Sequence, residues 1–436
     1  MIWHHEDRAA ILRAAREEIG NHSGTTPDPG FYHRKLAEVW ARAARTTAYA
    51  GLGEYSPAAF DAQPVTPREA LKADPLDFAT VGPGGGLRYY ETTGSTGVPT
   101  PTPRLAEDII WNTVSVAHAW ESVIGRGDRV ISLLPSDVVP VGDLVSQVCD
   151  YLGIAHVRAY PFATGICDWD RLIQLWRAFR PTAVFLAPGV ALQWTRLVKQ
   201  RGILAELSTD VRAMMLLGEV NTAPFRGRLG RWWGASAFDA SYGSTETGTL
   251  ASTCAAGGQH LLPAATYFEL ATPTGLVPID QATEGQLVVT PLNAYARPLL
   301  RLNTGDTVSI GADCPCGRAT PLVTVHGRVS DGLSVRGVPL APRGVEEVVY
   351  GSTDATGYLI EIDAAGGFAR LLLERDVDAA RAAEPAQAEA LQQASVDQLD
   401  VRWDQVAFVN TLPGNTKSGA SQKSWKRSNI RILENA

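Results

Sequence analysis

Lysine is scarce in this 436-residue chain: six occur against 33 arginines, and three of the six, Lys417, Lys423 and Lys426, fall near the C-terminus. A cationic excess is also missing. The 39 Lys and Arg face 46 Asp and Glu, a formal charge of −7, so nucleic acid finds no basic footprint here. No run of about 18 uncharged apolar residues exists to cross a bilayer, which argues against a membrane partner. The opening MIWHHEDRAA carries charges where a secretory leader needs its apolar stretch, so a cytoplasmic protein with reduced thiols is expected. Five cysteines are too few, and odd in number, for a disulfide framework. What remains is 45% apolar and 19% charged, a globular composition long enough for two or three domains of roughly 150 residues.

Residues 3–50 alternate charged and apolar positions in helical style, and 56–103, rich in Pro, Gly and Thr, reads as ordered loop. From 104 helix and strand alternate. A helix with Ile109, Val116 and Trp120 on one side precedes RVISLL, a helix to Leu152, AHVRAY, DWDRLIQLWRAF, TAVFLA, ALQWTRLVKQ, VRAMMLL and ASAFDASY. Short apolar strands between helices predict an α/β fold with a doubly wound, mostly parallel sheet. After 265 strand and turn take over in TYFEL, GQLVVTPL, RPLLRL and TVSI, which predicts a β-rich subdomain at about 265–329. From about 330, GYLIEI, FARLLLER, a helix over about 377–397 with Leu391 on its apolar stripe, and VRWDQVAFV predict a small α+β domain. The expected division is a large domain over 1–329 and a small one over 330–436.

In such sheets ligands gather beyond the carboxyl ends of the strands. Three segments there carry chemistry. Thr92-Thr93-Gly94-Ser95-Thr96-Gly97-Val98-Pro99 interleaves hydroxyls with glycines, so N–H and O–H groups can close on phosphate oxygens. Tyr242-Gly243-Ser244-Thr245-Glu246-Thr247-Gly248 offers a ring to stack on a base and a carboxylate suited to Mg²⁺. Arg301-Leu302-Asn303-Thr304-Gly305-Asp306 sets a carboxylate on a glycine turn, where it can accept both hydroxyls of a ribose. Cys149 and Cys167 sit singly among apolar residues and read as buried small hydrophobes. Cys254, Cys314 and Cys316, set among Gly and Pro with His260 nearby, read as a structural Zn²⁺ site, in which a tetrahedral ion takes three thiolates and one imidazole.

These three segments, in this order, resemble the adenylate-forming enzymes, and within them the phenylacetate–coenzyme A ligase branch. HGRVSDGLSVRG over 326–337, ARPLLRLNTGD, CPCGR and GVPLAPRGVEEVV resemble stretches of that branch, as does Thr100, where many other branches carry lysine. FYHRKLAEVW and PVTPREAL extend the similarity toward the N-terminus, and members of the branch often carry a comparable Cys/His set.

The resemblance implies ATP-dependent activation of a small carboxylic acid, with aromatic acids the first candidates, as acyl-adenylate, then transfer to a thiol. Coenzyme A is the first acceptor. A carrier-protein phosphopantetheine or an amine is the variant, and a nucleotide-binding homologue without chemistry is the alternative class. A place in secondary metabolism is the setting it suggests. It places ATP phosphates at Thr92 to Gly97, adenine and Mg²⁺ at the segment holding Thr245 and Glu246, ribose at Asp306 and a further nucleotide contact at Arg328. It places the acid around Ser136 to Gly142, Gly218-Glu219 and Ser241-Tyr242, with Asp137 or Asp143 available to a substrate amine. The hinge falls at Ser330 and Asp331, between the large domain and a small mobile one. In the terminal Ser-Gly-Lys motif, Ala420 stands where the branch presents its catalytic lysine. Natural loss of adenylation or deliberate replacement both account for it, and the otherwise intact motif favours the second.

Overall fold

Two kinds of apolar pattern divide the chain. Ala183–Leu186 and Ala213–Leu216 are buried at every position, as parallel strands covered on both faces must be. Strands such as Leu302–Gly311 alternate buried and half-exposed residues, which suits antiparallel pairing with one wetter face. The computed structural model describes residues 6–92, 99–163, 165–328, 334–363, 366–412 and 429–433. It divides into two compact units, one of 1–128, 135–156 and 239–328, the other of 129–134, 157–238 and 329–436.

The first unit is built on an eight-stranded antiparallel sheet. Its order is Gly275–Pro278, Thr266–Thr272, Glu284–Pro291, Leu302–Gly311, Leu322–Arg328, Gln259–Leu261, Gly248–Thr253 and Ser241–Ser244. The antiparallel strands thus begin at Ser241, directly after the last parallel strand. The helix Ala106–Trp120 buries nearly its whole length, with Ile110, Val114 and Trp111 in the same apolar core as Leu250, Leu287 and Val308. The Pro- and Gly-rich stretch read as loop holds the short helices Pro57–Ala62 and Arg68–Ala73 and the hairpin Arg88–Glu91 with Pro101–Arg104. Their few apolar anchors, Phe60 and Leu71, enter the core singly and leave no helical period to detect.

RPLLRL, read as strand, joins the sheet only from Leu302. Its earlier backbone is satisfied by side chains: Leu300 N–H bonds to Tyr49 Oη at 2.9 Å, and Leu300 O accepts from Thr66 Oγ1 at 2.7 Å. Arg301 then turns the chain with φ at +47°, a left-handed conformation costly for a residue with a Cβ. Its guanidinium, paired with Glu269 at 2.6 Å and donating to Asp61 O at 2.7 Å, fixes that turn.

The second unit carries the parallel sheet, ordered Ala155–Arg158, Arg129–Ser132, Ala183–Leu186, Ala213–Leu216 and Ser236–Asp239. Chain order reverses at Arg129–Ser132, the doubly wound arrangement expected. The C-terminal part forms a four-stranded mixed sheet, ordered Gln405–Val409, Ala369–Glu374, Gly357–Asp363 and Ile430–Leu433, with helices Pro342–Ser352 and Glu384–Leu399. The last helix starts at Glu384 rather than about 377, because Arg381–Ala383 is a single tighter turn. Leu391 lies on its buried stripe. Within this unit Arg228 is buried and donates to the carbonyls of Tyr350, Thr353 and Ala355 where the helix Pro342–Ser352 ends. Glu346 accepts from Thr222 N–H at 2.8 Å, and burial pushes its carboxyl up to about 8. Lys199 pairs with Asp376, and with Asp378 at 2.8 Å.

Candidate active site

In sequence, the hydroxyl- and glycine-rich segment falls between the paired strands Arg88–Glu91 and Pro101–Arg104 of one hairpin. Thr92 and Thr100 close its neck, Thr92 N–H donating to Thr100 O at 3.2 Å and Thr100 N–H to Thr92 Oγ1 at 2.9 Å. Thr93, Gly94, Ser95, Thr96 and Gly97 lie outside the described residues, as do Ser330, Asp331 and Ala420. The backbone of Arg328 pairs with Asp306 across neighbouring strands.

The hairpin's stem is anchored from three sides. Arg104 donates to the carbonyls of Thr245 at 2.7 Å and Glu246 at 3.4 Å. Arg297, fully buried, donates to Pro101 O at 2.7 Å and Thr102 Oγ1 at 2.8 Å, and burial lowers its guanidinium to about 10. Arg88 and Tyr90 both donate to Asp143 Oδ2, at 2.7 and 2.9 Å. Asp143, expected as a partner for a substrate amine, is therefore a buried anchor of the hairpin. Asp137 is exposed.

Ser241–Ser244 and Gly248–Thr253 form a hairpin whose turn holds Thr245, Glu246 and Thr247. Gly243 is obligatory, since a Cβ there would sit 2.2 Å from Gly248 O. Ser244 Oγ accepts from Thr247 N–H at 3.2 Å and fixes the turn. Opposite it, Asn303-Thr304-Gly305-Asp306 makes a bulge between two registers of the sheet, with Gly305 at φ +76°. Asn303 Oδ1 accepts from Gly305 N–H at 2.8 Å, and Thr304 Oγ1 donates to Leu287 O at 2.9 Å. The bulge aims Asp306 at the first hairpin, where Tyr242 Oη donates to its Oδ2 at 2.7 Å.

Tyr242, Gly243, Ser244, Glu246, Thr304 and Asp306 thus line one cleft. Arg68 also lines it, its Nη2 3.9 Å from Glu246 Oε1. Glu246 is 6% exposed. One buried carboxylate with the hydroxyls of Ser244 and Thr247 nearby suits Mg²⁺, which takes one or two carboxylates and keeps room for water and phosphate oxygens. Gly218, at φ +87°, and Glu219 belong to the second unit, where Glu219 accepts from Gly189 N–H at 3.0 Å at the start of the helix Pro188–Gln200.

Apart from this cleft, the donor atoms of Cys254, His260, Cys314 and Cys316 all lie within 4.8 Å of one another. Cys254 Sγ is 3.6 Å from Cys314 Sγ, and Cys316 Sγ is 3.3 Å from His260 Nε2. Tetrahedral Zn²⁺, with Zn–S of about 2.3 Å and Zn–N of about 2.0 Å, demands edges of roughly 3.5–3.8 Å. The set fits. His260 Nδ1–H donates to Thr320 O at 2.8 Å, which leaves Nε2 as the ligand nitrogen. Cys149 and Cys167 are buried apart from it, and burial lifts the Cys149 thiol to about 12.

No family model matches the chain. A phenylacetate–coenzyme A ligase of Aromatoleum evansii is 27% identical over 318 residues, 70% of this chain and 69% of that protein. One from Thermus thermophilus is 26% identical, over 60% of this chain and 59% of its own length. The chain is thus similar to phenylacetate–coenzyme A ligases. Its fold is that of the adenylate-forming ligases: a 2-hydroxyisobutyryl-CoA ligase in its postadenylation state superposes with a TM-score of 0.71 at 18% identity, covering 98% of this chain and 89% of that one. Motif reading passed over Arg68, which lines the cleft, and Arg104 and Arg297, which hold the hairpin beside it. PVTPREAL and ARPLLRL had contained two of them, but only as marks of resemblance.

Proposed function

We propose that this chain activates a small carboxylic acid, aromatic acids first among the candidates, as its acyl-adenylate and transfers the acyl group to the thiol of coenzyme A. The enzyme class, an AMP-forming acid–coenzyme A ligase, follows from the relationship to the phenylacetate–coenzyme A ligases. The observation that carries the site is the meeting of Tyr242, Glu246 and Asp306 in one cleft, with Arg104 of the hairpin Arg88–Arg104 holding the carbonyls of Thr245 and Glu246.

In this reading a carboxylate oxygen of the acid bonds to the α-phosphorus of ATP, and the bond to the departing pyrophosphate breaks. The thiol sulfur then attacks the acyl carbon, the thiol proton is lost, and AMP leaves. Asp306 accepts the ribose hydroxyls, Tyr242 faces the base, and donors of the segment Thr92–Gly97 surround the phosphates. Glu246 would hold Mg²⁺, which neutralises phosphate charge when bound. The remaining assignments, Thr245, Ser241, Gly218, Glu219 and Arg328 at the ligands, a small domain from 330 moving about Ser330 and Asp331, and a structural Zn²⁺ on the four-residue set, belong to the same proposal. Among the described residues no helix is long and apolar enough to cross a membrane.

Pyrophosphate exchange with a panel of acids tests the reading: one acid must support acid-dependent exchange. Asp306→Ala should weaken ATP binding about 10- to 100-fold, because charge-assisted hydrogen bonds of about 1.5–3 kcal/mol are lost. Unchanged affinity in calorimetry would remove Asp306 from the ribose. Glu246→Gln should raise the Mg²⁺ concentration for half-maximal exchange about tenfold, a loss of roughly 1.4 kcal/mol. A variant that keeps the parent's metal requirement would disprove the ligand role.

A further inference from the structure

The described residues lining the cleft include two acids, Glu246 and Asp306, and one cation, Arg68. A nucleoside triphosphate would add strong negative charge to a site that already carries more of it than it can neutralise. The other nearby guanidiniums serve the backbone: Arg104 holds the Thr245 and Glu246 carbonyls, and Arg297 holds Pro101 O and Thr102 Oγ1. Thr100 stands where many other branches carry lysine, and Ala420 where the resemblance led to an expectation of lysine.

Arg68 is held in place by the same segment that leads to Asp306. Thr66 N–H donates to Arg301 O at 2.8 Å, and Asn303 N–H donates to Thr66 O at 2.9 Å. Pro67 follows and the helix Arg68–Ala73 begins, with Leu71 packed into the core at 1% exposure. The guanidinium itself keeps 19% of its side-chain surface exposed and lies 3.9 Å from Glu246 Oε1, too far for a hydrogen bond. It is anchored at its base and unsaturated at its tip, and guanidinium geometry matches phosphate oxygens in pairs.

We infer that Arg68 is the cation of the polyphosphate subsite, facing Glu246 at 3.9 Å here and pairing with the phosphates of ATP when the nucleotide is bound. The inference rests on the ATP reading proposed above. Moving the guanidinium from Glu246 to the phosphates also leaves that carboxylate to the metal, so one side chain serves both charge balance and site opening.

Calorimetry of ATP and of adenosine, each with Mg²⁺, on the parent, Arg68→Met and Arg68→Lys tests it. Arg68→Met should weaken ATP about 10- to 100-fold and leave adenosine within about twofold, since only the phosphates lose a partner. Arg68→Lys, which keeps the charge without the fork, should recover part of the loss. Retained adenosine binding also reports an intact fold, and Arg68→Gln replaces Arg68→Met should the latter fail to fold. Equal losses for ATP and adenosine would make Arg68 structural, and unchanged ATP affinity would remove it from the subsite. A parent that binds adenosine and ATP equally well would overturn the inference while leaving a nucleoside site. A parent that binds neither would overturn the ATP reading and this inference with it.

Discussion

Replacing Ala420 by lysine will raise acid-dependent pyrophosphate exchange at least about a hundredfold. The charge returned is one that the resembled branch uses mainly in the transition state, where an oxyanion-type donor contributes roughly 3–4 kcal/mol. Two anions, the carboxylate and the α-phosphate, must approach, and Arg68 on its own balances only part of that repulsion. Thioester formation from preformed acyl-adenylate and coenzyme A should change far less, because that half-reaction does not need the lysine. The split between the two half-reactions is the signature. Equal exchange in both proteins would show that another cation does the work, with Lys417 and Lys423, three residues either way in sequence, next in line for substitution. Exchange absent from both, with nucleotide binding intact, would favour a binding homologue without adenylation chemistry.

Protein prepared without chelator will carry one zinc per chain, and removing a ligand will cost more stability than any single change in the cleft. Cys254 and His260 flank and enter the strand Gln259–Leu261, while Cys314 and Cys316 lie on the connection between Leu302–Gly311 and Leu322–Arg328. A shared ion therefore closes a loop of about sixty residues within one sheet. Cys316→Ser should release the metal and lower the first unit's thermal midpoint by roughly 5–10 °C, about 2–4 °C per kcal/mol. Acid should do the same reversibly, since protons compete with the ion for thiolate and imidazole. Substoichiometric zinc by elemental analysis, or a midpoint indifferent to chelator, would refute the site. Because none of the four ligands lines the cleft, nucleotide affinity at low temperature should survive the loss.

Much of this protein is legible in its amino-acid order. Short apolar strands between amphipathic helices gave the parallel sheet, since burial on both faces leaves a run with no alternation to disguise it. Hydroxyls, glycines and carboxylates marked the segments 242–248 and 301–306, because each builds its own local geometry: Gly243 and Gly305 are where the backbone must turn or approach closely. The Cys/His set was readable for the same reason, as ligand chemistry belongs to residue type.

Tertiary structure alone decided what faces what. Tyr242 and Asp306 are 64 residues apart and share a hydrogen bond, and Arg68 reaches Glu246 from a short helix with no period of its own. RPLLRL has a strand's composition, yet Tyr49 and Thr66 satisfy its backbone and Arg301 turns it, so sheet pairing waits until Leu302. Asp143 looked available to substrate until Arg88 and Tyr90 were found on it. In each case the partner is distant in sequence, and a side chain's composition states which bonds it is able to make while only the fold's packing determines which of them it does make.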